Sequence, residues 1–186
     1  MHRRLTVAVA AVAALGISAA GIANAGAAAK KNEIRIVGGT TIKPGKYLKN
    51  DLRFTPANLS VKSGATVKLR NKSKEQEPHT ITFVKKKYLP TGFQSAVDPQ
   101  LLKAHQVDPN NQEAPPGVLV VDNGQPVPAG GTLAVDTGFT PTSAGDSAFI
   151  APGQKSFTFK VTAKKGSRLF YYCAIHPWMQ AKITVN

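Results

Sequence analysis

A short stretch near the C-terminal end, YYCAIHPWM at residues 171–179, constrains the fold of this chain more than any other segment. It contains Cys173, the only cysteine of the sequence, together with His176 and Met179. A thiolate, an imidazole and a thioether within seven residues form a soft ligand set, and such ligands suit copper. Any fold of the chain therefore has to bring a further ligand from elsewhere in the sequence to this loop.

A trigonal copper site takes two histidines and one cysteine, with a weak axial methionine, so this stretch lacks one histidine. The best candidate is His79, which follows Pro78 at the start of an alternating run. Ile81 and Phe83 share the parity of this histidine, which places it at the inward end of a strand. The sequence predicts one metal site with four ligands, which are His79, Cys173, His176 and Met179.

Each of these residues also has an ordinary explanation when it is considered alone. A lone cysteine before a strand is usually a small buried hydrophobic residue. Trp178 and Met179 fit a hydrophobic core, and His176 fits a turn. The combination at this spacing, with a Pro-His pair upstream, favours the metal site.

These residues resemble the cupredoxins, the small blue copper proteins of the plastocyanin and azurin type. Their signature is a Cys-x2-His-x(n)-Met loop before the last strand, with a lone histidine upstream. The loop here has the short form Cys-x2-His-x2-Met and is most similar to that of the amicyanins. The resemblance covers residues 54–83 and 156–186, whereas the middle of the chain does not match. It implies one copper ion that cycles between Cu(I) and Cu(II).

The resemblance also implies a role for each ligand. Cys173 supplies a short covalent bond, His79 and His176 lie in the same plane, and Met179 is the long axial ligand. The backbone N–H of Thr80 is expected to donate a hydrogen bond to the cysteine sulfur. The edge of His176 is expected at the surface, within an apolar patch that includes Pro177. Trp178 either belongs to this patch or is buried.

Alternating apolar and polar residues predict an all-β chain of about seven short strands, arranged as a Greek-key β-sandwich. The clearest runs are residues 33–37, 80–84, 156–162, 168–172 and 181–185. A turn at Ser63-Gly64 predicts a hairpin within residues 54–71. Residues 40–51 are polar and give no clear prediction.

Residues 85–155 differ from the rest, because they contain nine of the 13 prolines. Residues 100–105 suit a short helix, and residues 118–121 and 132–135 suit a pair of short strands. A structureless loop of this length is unusual in a compact domain. We therefore expect a long, partly irregular insertion that packs against the sandwich. His105 within it is either a ligand of a second metal or a surface histidine.

The N-terminal segment has the pattern of an export signal. Arg3 and Arg4 are followed by an apolar run at residues 7–17 and by the small residues 23–25. We expect a signal peptide at residues 1–25, a flexible leader at 26–31 and a single domain at 32–186. The mature protein is then periplasmic, bound to the cell envelope or secreted. The arginine pair suits a twin-arginine signal, but an ordinary basic start explains it equally.

Export raises a second question about Cys173, because exported proteins usually pair their cysteines. Metal ligation protects an unpaired thiol from oxidation, and an intermolecular disulfide is the competing explanation.

The formal net charge is +14, and it becomes +12 when Arg3 and Arg4 are removed with the signal. Residues 85–155 carry −1, so the remaining mature chain carries +13. A surface this basic attracts acidic partners or anionic surfaces. We expect an acidic redox protein as the partner, or peripheral contact with an anionic envelope surface. A solvated face that maintains solubility is the plainer explanation. The lysines lack any nucleic-acid recognition motif, and we expect a monomer.

The predicted function is transfer of single electrons between redox partners. The alternative is a carrier or scavenger that delivers or buffers copper, because the same ligands serve both functions. A structural or adhesion module is a third possibility, against which the intact ligands argue. An enzyme is not expected. Multicopper oxidases need His-x-His pairs, reductase-like sites need a histidine where Tyr172 stands, and binuclear copper centres need two cysteines.

Overall fold

The structure is a computed structural model that describes residues 32–92, 118–128, 131–136, 138 and 145–186. The expected signal peptide (1–25), the leader (26–31), the helical candidate (100–105) and His105 lie outside the described residues. None of the described residues belongs to a helix that is long and apolar enough to cross a membrane.

The described ranges contain fourteen β-strands and one 3₁₀ helix. In chain order, the strands are β1 (Glu33–Val37), β2 (Thr40–Lys43), β3 (Tyr47–Asn50), β4 (Arg53–Thr55), β5 (Asn58–Val61), β6 (Thr66–Asn71), β7 (His79–Val84), β8 (Val118–Asp122), β9 (Gln125–Pro126), β10 (Ala134–Val135), β11 (Ser147–Ile150), β12 (Ser156–Val161), β13 (Arg168–Tyr172) and β14 (Gln180–Val185). The 3₁₀ helix is Lys86–Tyr88 and follows β7.

Twelve of these strands form two large sheets. The first has the order β10-β12-β6-β1-β4, and the second has the order β5-β14-β13-β7-β11-β8-β9. Side chains from both sheets meet in one buried cluster. The predicted all-β sandwich is therefore confirmed.

Alternation in the sequence decides which side of each strand is buried. In β6, Val67 and Leu69 are buried, while Thr66 on the opposite face is exposed. Aromatic rings join the two sheets across the core. Phe83 of β7 packs edge-on against Phe159 of β12, with 5.7 Å between ring centres. Burying one such ring stabilises the fold by roughly 1.5–3 kcal/mol.

One predicted strand pairing is wrong. The strands on either side of the Ser63-Gly64 turn, β5 and β6, lie in different sheets, so this turn crosses the sandwich and does not close a hairpin. The two short strands expected in the middle segment are both present, as β8 and β10, and they lie in different sheets. Alternation shows that one face of a strand is buried. It does not show whether the next strand along the chain lies in the same sheet or in the sheet across the core.

Strands from the described part of residues 85–155 extend the second sheet. β11 pairs antiparallel with β7, and β8 pairs antiparallel with β11. Residues 40–51, whose polar pattern makes no clear prediction, contain a separate two-stranded sheet of β2 and β3. The insertion is thus part of the sandwich where it is described, and an additional hairpin precedes β4.

A buried carboxylate joins β1 to β6 in the first sheet. Glu33 begins β1, and its two oxygens accept hydrogen bonds from Nε of Arg35 and Nε of Arg70, each at 2.8 Å. The hydrogen bond from Arg35 is the main cause that lowers the pKa of Glu33 below its ordinary value, and Arg70 acts in the same direction. The ionised carboxylate therefore stabilises the pairing of β1 with β6.

We expect Glu33→Gln to lower the free energy of unfolding at pH 7 by about 1–3 kcal/mol, because two hydrogen bonds to a charged acceptor are weakened. The folded-state pKa is depressed, so this stabilisation is present above the unfolded-state pKa and is lost as the pH falls through the folded-state pKa. Urea denaturation across pH 7 to 3 measures the difference. A gap between wild type and variant that stays constant on acidification would contradict the assignment.

Candidate metal centre

The pairing of two neighbouring strands brings the predicted ligands together. His79 is the first residue of β7, and Cys173 directly follows the last residue of β13. These strands are antiparallel, with Tyr172 opposite Thr82, so the start of β7 lies beside the end of β13. His176 lies in the loop between β13 and β14. All three side chains are buried.

The distances within this cluster fit one metal ion. Sγ of Cys173 lies 3.9 Å from Nδ1 of His79 and 3.6 Å from Nδ1 of His176. The ligand atoms of the three residues all lie within 4.8 Å of one another. In a trigonal site with bonds of about 2.0–2.3 Å, neighbouring ligand atoms are roughly 3.5–4 Å apart. Two imidazole nitrogens and a sulfur at this separation form the ligand set that copper prefers.

The protonation states also suit a metal. Burial is the main cause that lowers the pKa of His79 to about 4, and the neighbouring His176 contributes. Burial also lowers the pKa of His176, while the adjacent Glu77 acts in the opposite direction. Neutral imidazoles keep a nitrogen lone pair for a metal. Burial raises the pKa of the Cys173 thiol, so a bound cation is what would stabilise its thiolate.

A group of hydroxyl residues behind the cluster fixes the backbone around the cysteine. The backbone N–H of Thr80 donates a hydrogen bond to Sγ of Cys173 at 3.3 Å, which confirms the expectation from the resemblance. The hydroxyl of the same threonine accepts a hydrogen bond from the N–H of Ala174 at 2.7 Å. The Thr82 hydroxyl donates to that of Thr80 and contacts the Ser147 hydroxyl. Thr80, which follows His79, and Ala174, which follows Cys173, are therefore joined by a hydrogen bond.

Two backbone hydrogen bonds close the loop on itself. The N–H of Cys173 donates to the carbonyl of Met179 at 3.0 Å, and the N–H of Met179 donates to the carbonyl of His176 at 2.8 Å. Met179 is fully buried and belongs to the same core cluster as Cys173. Its burial is compatible with the axial role, and its coordination of the metal stays a prediction.

The surroundings of His176 differ from the exposed edge that was expected. The imidazole is buried, and an oxygen of Glu77 lies 3.5 Å from its Nε2. The ring of Trp178 packs edge-on against it, with 5.2 Å between ring centres. Pro177 is buried, Trp178 is half-buried and Ile175 is exposed. A carboxylate and an indole thus contact the imidazole, and the residue is 7% exposed.

Hydrophobic periodicity could not have identified Glu77 as part of the site, because it lies in a polar loop. Its position two residues before His79 was the one available signal.

The two ring nitrogens of His79 differ in their surroundings. Nε2 of His79 is buried and has no hydrogen-bond partner among the described residues. Its Nδ1 is the nitrogen that faces the cysteine.

Comparison with known proteins gives one family match. The family model for "Copper binding proteins, plastocyanin/azurin family" matches residues 46–186. The match therefore includes the middle segment that the sequence motifs did not cover. No curated protein matches the sequence.

Several solved structures are similar to this one at low sequence identity. The purple cupredoxin of Nitrosopumilus maritimus is 16% identical over 83% of this chain and 98% of its own, with a TM-score of 0.40. An auracyanin of Roseiflexus castenholzii is 18% identical over 83% and 97%, also with a TM-score of 0.40. The plastocyanin of Dryopteris crassirhizoma is 17% identical over 83% and 99%, with a TM-score of 0.37.

We expect Cu(II) added to the metal-free protein to produce one intense absorption band towards the red end of the visible spectrum. The sulfur of Cys173 is the one thiolate available for charge transfer, so Cys173→Ser should abolish the band. Ala174→Ser, which changes the adjacent residue, should keep it. Visible titration with copper measures both, and a colourless wild type that binds one equivalent of copper would contradict the assignment.

Proposed function

The chain belongs to the plastocyanin/azurin family of copper-binding proteins, and on this premise we propose that it carries single electrons between redox partners outside the cytoplasm. The observation that supports this function best is the buried cluster of His79, Cys173 and His176, whose ligand atoms already lie at copper-site separations. When bound, copper supplies a one-electron couple, because Cu(I) loses one electron to an oxidised partner and Cu(II) accepts one from a reduced partner.

The protein residues would keep the ligands in place during this exchange. The hydrogen bond from Thr80 to the sulfur and the two bonds that close the 173–179 loop come from the backbone. Such contacts orient the ligands that would surround the metal. A ligand set that moves little between two oxidation states favours fast electron transfer.

Burial favours electron transfer over copper delivery. A protein that hands copper to another molecule has to expose one side of the metal to the incoming ligand. In this structure His79 and Cys173 are fully buried, and His176 is 7% exposed. Glu77 and Trp178 contact the imidazole of His176. An electron crosses such a thin layer of side chains, whereas a copper ion does not.

The same burial argues that the protein is not an enzyme. A substrate would need an open position on the metal, whereas His79, Cys173 and His176 are buried. We also propose that residues 1–25 direct export, since an N-terminal signal pattern precedes a domain whose lone thiol requires protection.

The electron-carrier function predicts a reversible one-electron wave for the copper-loaded protein. Cyclic voltammetry should show this wave, and self-exchange measured by NMR line broadening should be fast. A copper-selective chelator should remove the metal slowly, because the ligands are buried. The absence of a reversible wave, together with copper loss to the chelator within seconds, would support the copper-carrier function instead.

Met179→Leu serves as the companion variant for this measurement. If the thioether is the axial ligand, an apolar side chain in its place disfavours Cu(II). The variant should keep its colour and its reversible wave, and the wave should shift to higher potential. A loss of copper binding as complete as that of Cys173→Ser would show that the methionine is not an axial ligand.

A further inference from the structure

The hairpin of β2 and β3 projects from the sandwich as a separate two-stranded sheet. Its base is held by Asp51, whose carboxylate accepts a hydrogen bond from the N–H of Gly39 at 2.8 Å. Gly38 adopts φ +100° beside it, and a Cβ at that position would collide with the backbone of Asp51. The family match begins at residue 46, so β2 lies outside it. These contacts fix the base of the hairpin. The family match includes β3 but not β2.

Several large apolar side chains of this hairpin are exposed to solvent. Ile42 is 66% exposed, Leu48 is 68% exposed and Tyr47 is 47% exposed. Ile42 and Leu48 are directly opposite each other in the strand register, so they share one face. They form a contiguous apolar pair, and exposed patches of this kind mark interaction sites.

The hairpin also lies beside the metal cluster. A groove of about 720 Å³ is lined by residues 47–50 of β3 and by Trp178. Trp178 in turn contacts the imidazole of His176 edge-on, with 5.2 Å between ring centres. A molecule seated in this groove would touch the indole that covers a predicted metal ligand.

The hairpin also carries three lysines, which are Lys43, Lys46 and Lys49. Lys43 and Lys49 alternate with Ile42 and Leu48 along the strands and so lie on the other face of the ribbon, where Nζ of Lys43 lies 5.5 Å from the centre of the Tyr47 ring. All three are exposed, and within the described part of the chain none of them forms an ion pair. The nearby acidic groups are used at the hairpin base, where Asp51 binds Gly39 and Glu75 accepts a hydrogen bond from the N–H of Thr40. The groove is therefore lined by apolar side chains together with Lys49, and the hairpin that provides one of its walls is positively charged.

We propose that the β2–β3 hairpin and Trp178 form the docking surface for an acidic one-electron redox protein. This inference rests on the proposed electron-carrier function. The partner presents carboxylates to the lysines of the hairpin and an apolar contact to Leu48 and Trp178, which line the groove. Trp178 and His176, which contact each other, would then lie between the partner's cofactor and a bound copper ion. A patch of this size suits a small, transient interface.

An anionic membrane is the competing occupant for a basic, apolar hairpin. The concave shape favours a protein, because residues 47–50 and Trp178 line a groove that a flat bilayer surface cannot enter. A bilayer would contact the convex tip around Gly45, where the described side chains are Pro44 and Lys46.

The test measures electron transfer from the copper-loaded protein to a soluble c-type cytochrome of net negative charge by stopped flow. The variant Lys43→Glu/Lys46→Glu/Lys49→Glu reverses the charge of the hairpin. A matched control, Lys62→Glu/Lys164→Glu/Lys165→Glu, changes the net charge equally. Lys164 and Lys165 precede β13, whereas the metal cluster follows it, so this control acts at the opposite end of the sandwich.

At 0.1 M salt the Debye length is about 10 Å, so charges near the docking surface dominate. The hairpin variant should then react with the cytochrome about tenfold more slowly, and the control about twofold or less. Ile42→Ser/Leu48→Ser should also slow the reaction severalfold. All variants should react at the wild-type rate with the small neutral mediator ferrocenemethanol, which reports an intact copper site.

Equal rates for the hairpin variant and the control would overturn the docking surface while leaving the electron-carrier function in place. A wild type that fails to react with ferrocenemethanol would overturn both. Binding to phosphatidylglycerol vesicles is measured in parallel. Loss of vesicle binding in the hairpin variants, with an unchanged cytochrome rate, would overturn the protein partner in favour of the membrane.

Discussion

The antiparallel pairing of β7 with β13 is the interaction on which the metal cluster depends. It places His79 beside Cys173, although 94 positions separate them in the sequence. The same pairing brings the N–H of Thr80 to the sulfur and the hydroxyl of Thr80 to the backbone beyond the cysteine. Because these contacts are made by backbone and short side chains within a sandwich core, the ligands are held in position before any metal binds.

Burial of this cluster connects the fold to the function. It keeps both imidazoles neutral and excludes water from the sulfur, and it also separates the metal position from any partner. Glu77 and Trp178 cover the one ligand that approaches the surface. The proposed partner would contact this cover, and the hairpin groove is one of two grooves that Trp178 lines. Electrons tolerate such a barrier, whereas metal exchange does not.

Much of this architecture could be predicted from the sequence, because alternation and ligand spacing are local signals. The strand of Phe159 and the histidine at position 79 were both identified in this way. The cover of His176 by Glu77 was not, since a loop carboxylate has no periodicity. The hairpin at residues 40–51 was not identified either, because a two-stranded ribbon without a buried face lacks the alternation that marks a strand. The sheet assignment of β5 and β6 failed because it depends on partners that are distant in sequence.

Copper K-edge X-ray absorption of the loaded protein in both oxidation states tests the central claim most directly. A preformed site of His79, Cys173 and His176 predicts one sulfur and two nitrogens at bonding distance in Cu(II), with nearly the same distances in Cu(I). The Cys173→Ser variant supplies the reference without the sulfur. A spectrum with no short sulfur scatterer, or one that gains or loses a ligand on reduction, would contradict the claim that the fold sets the metal geometry.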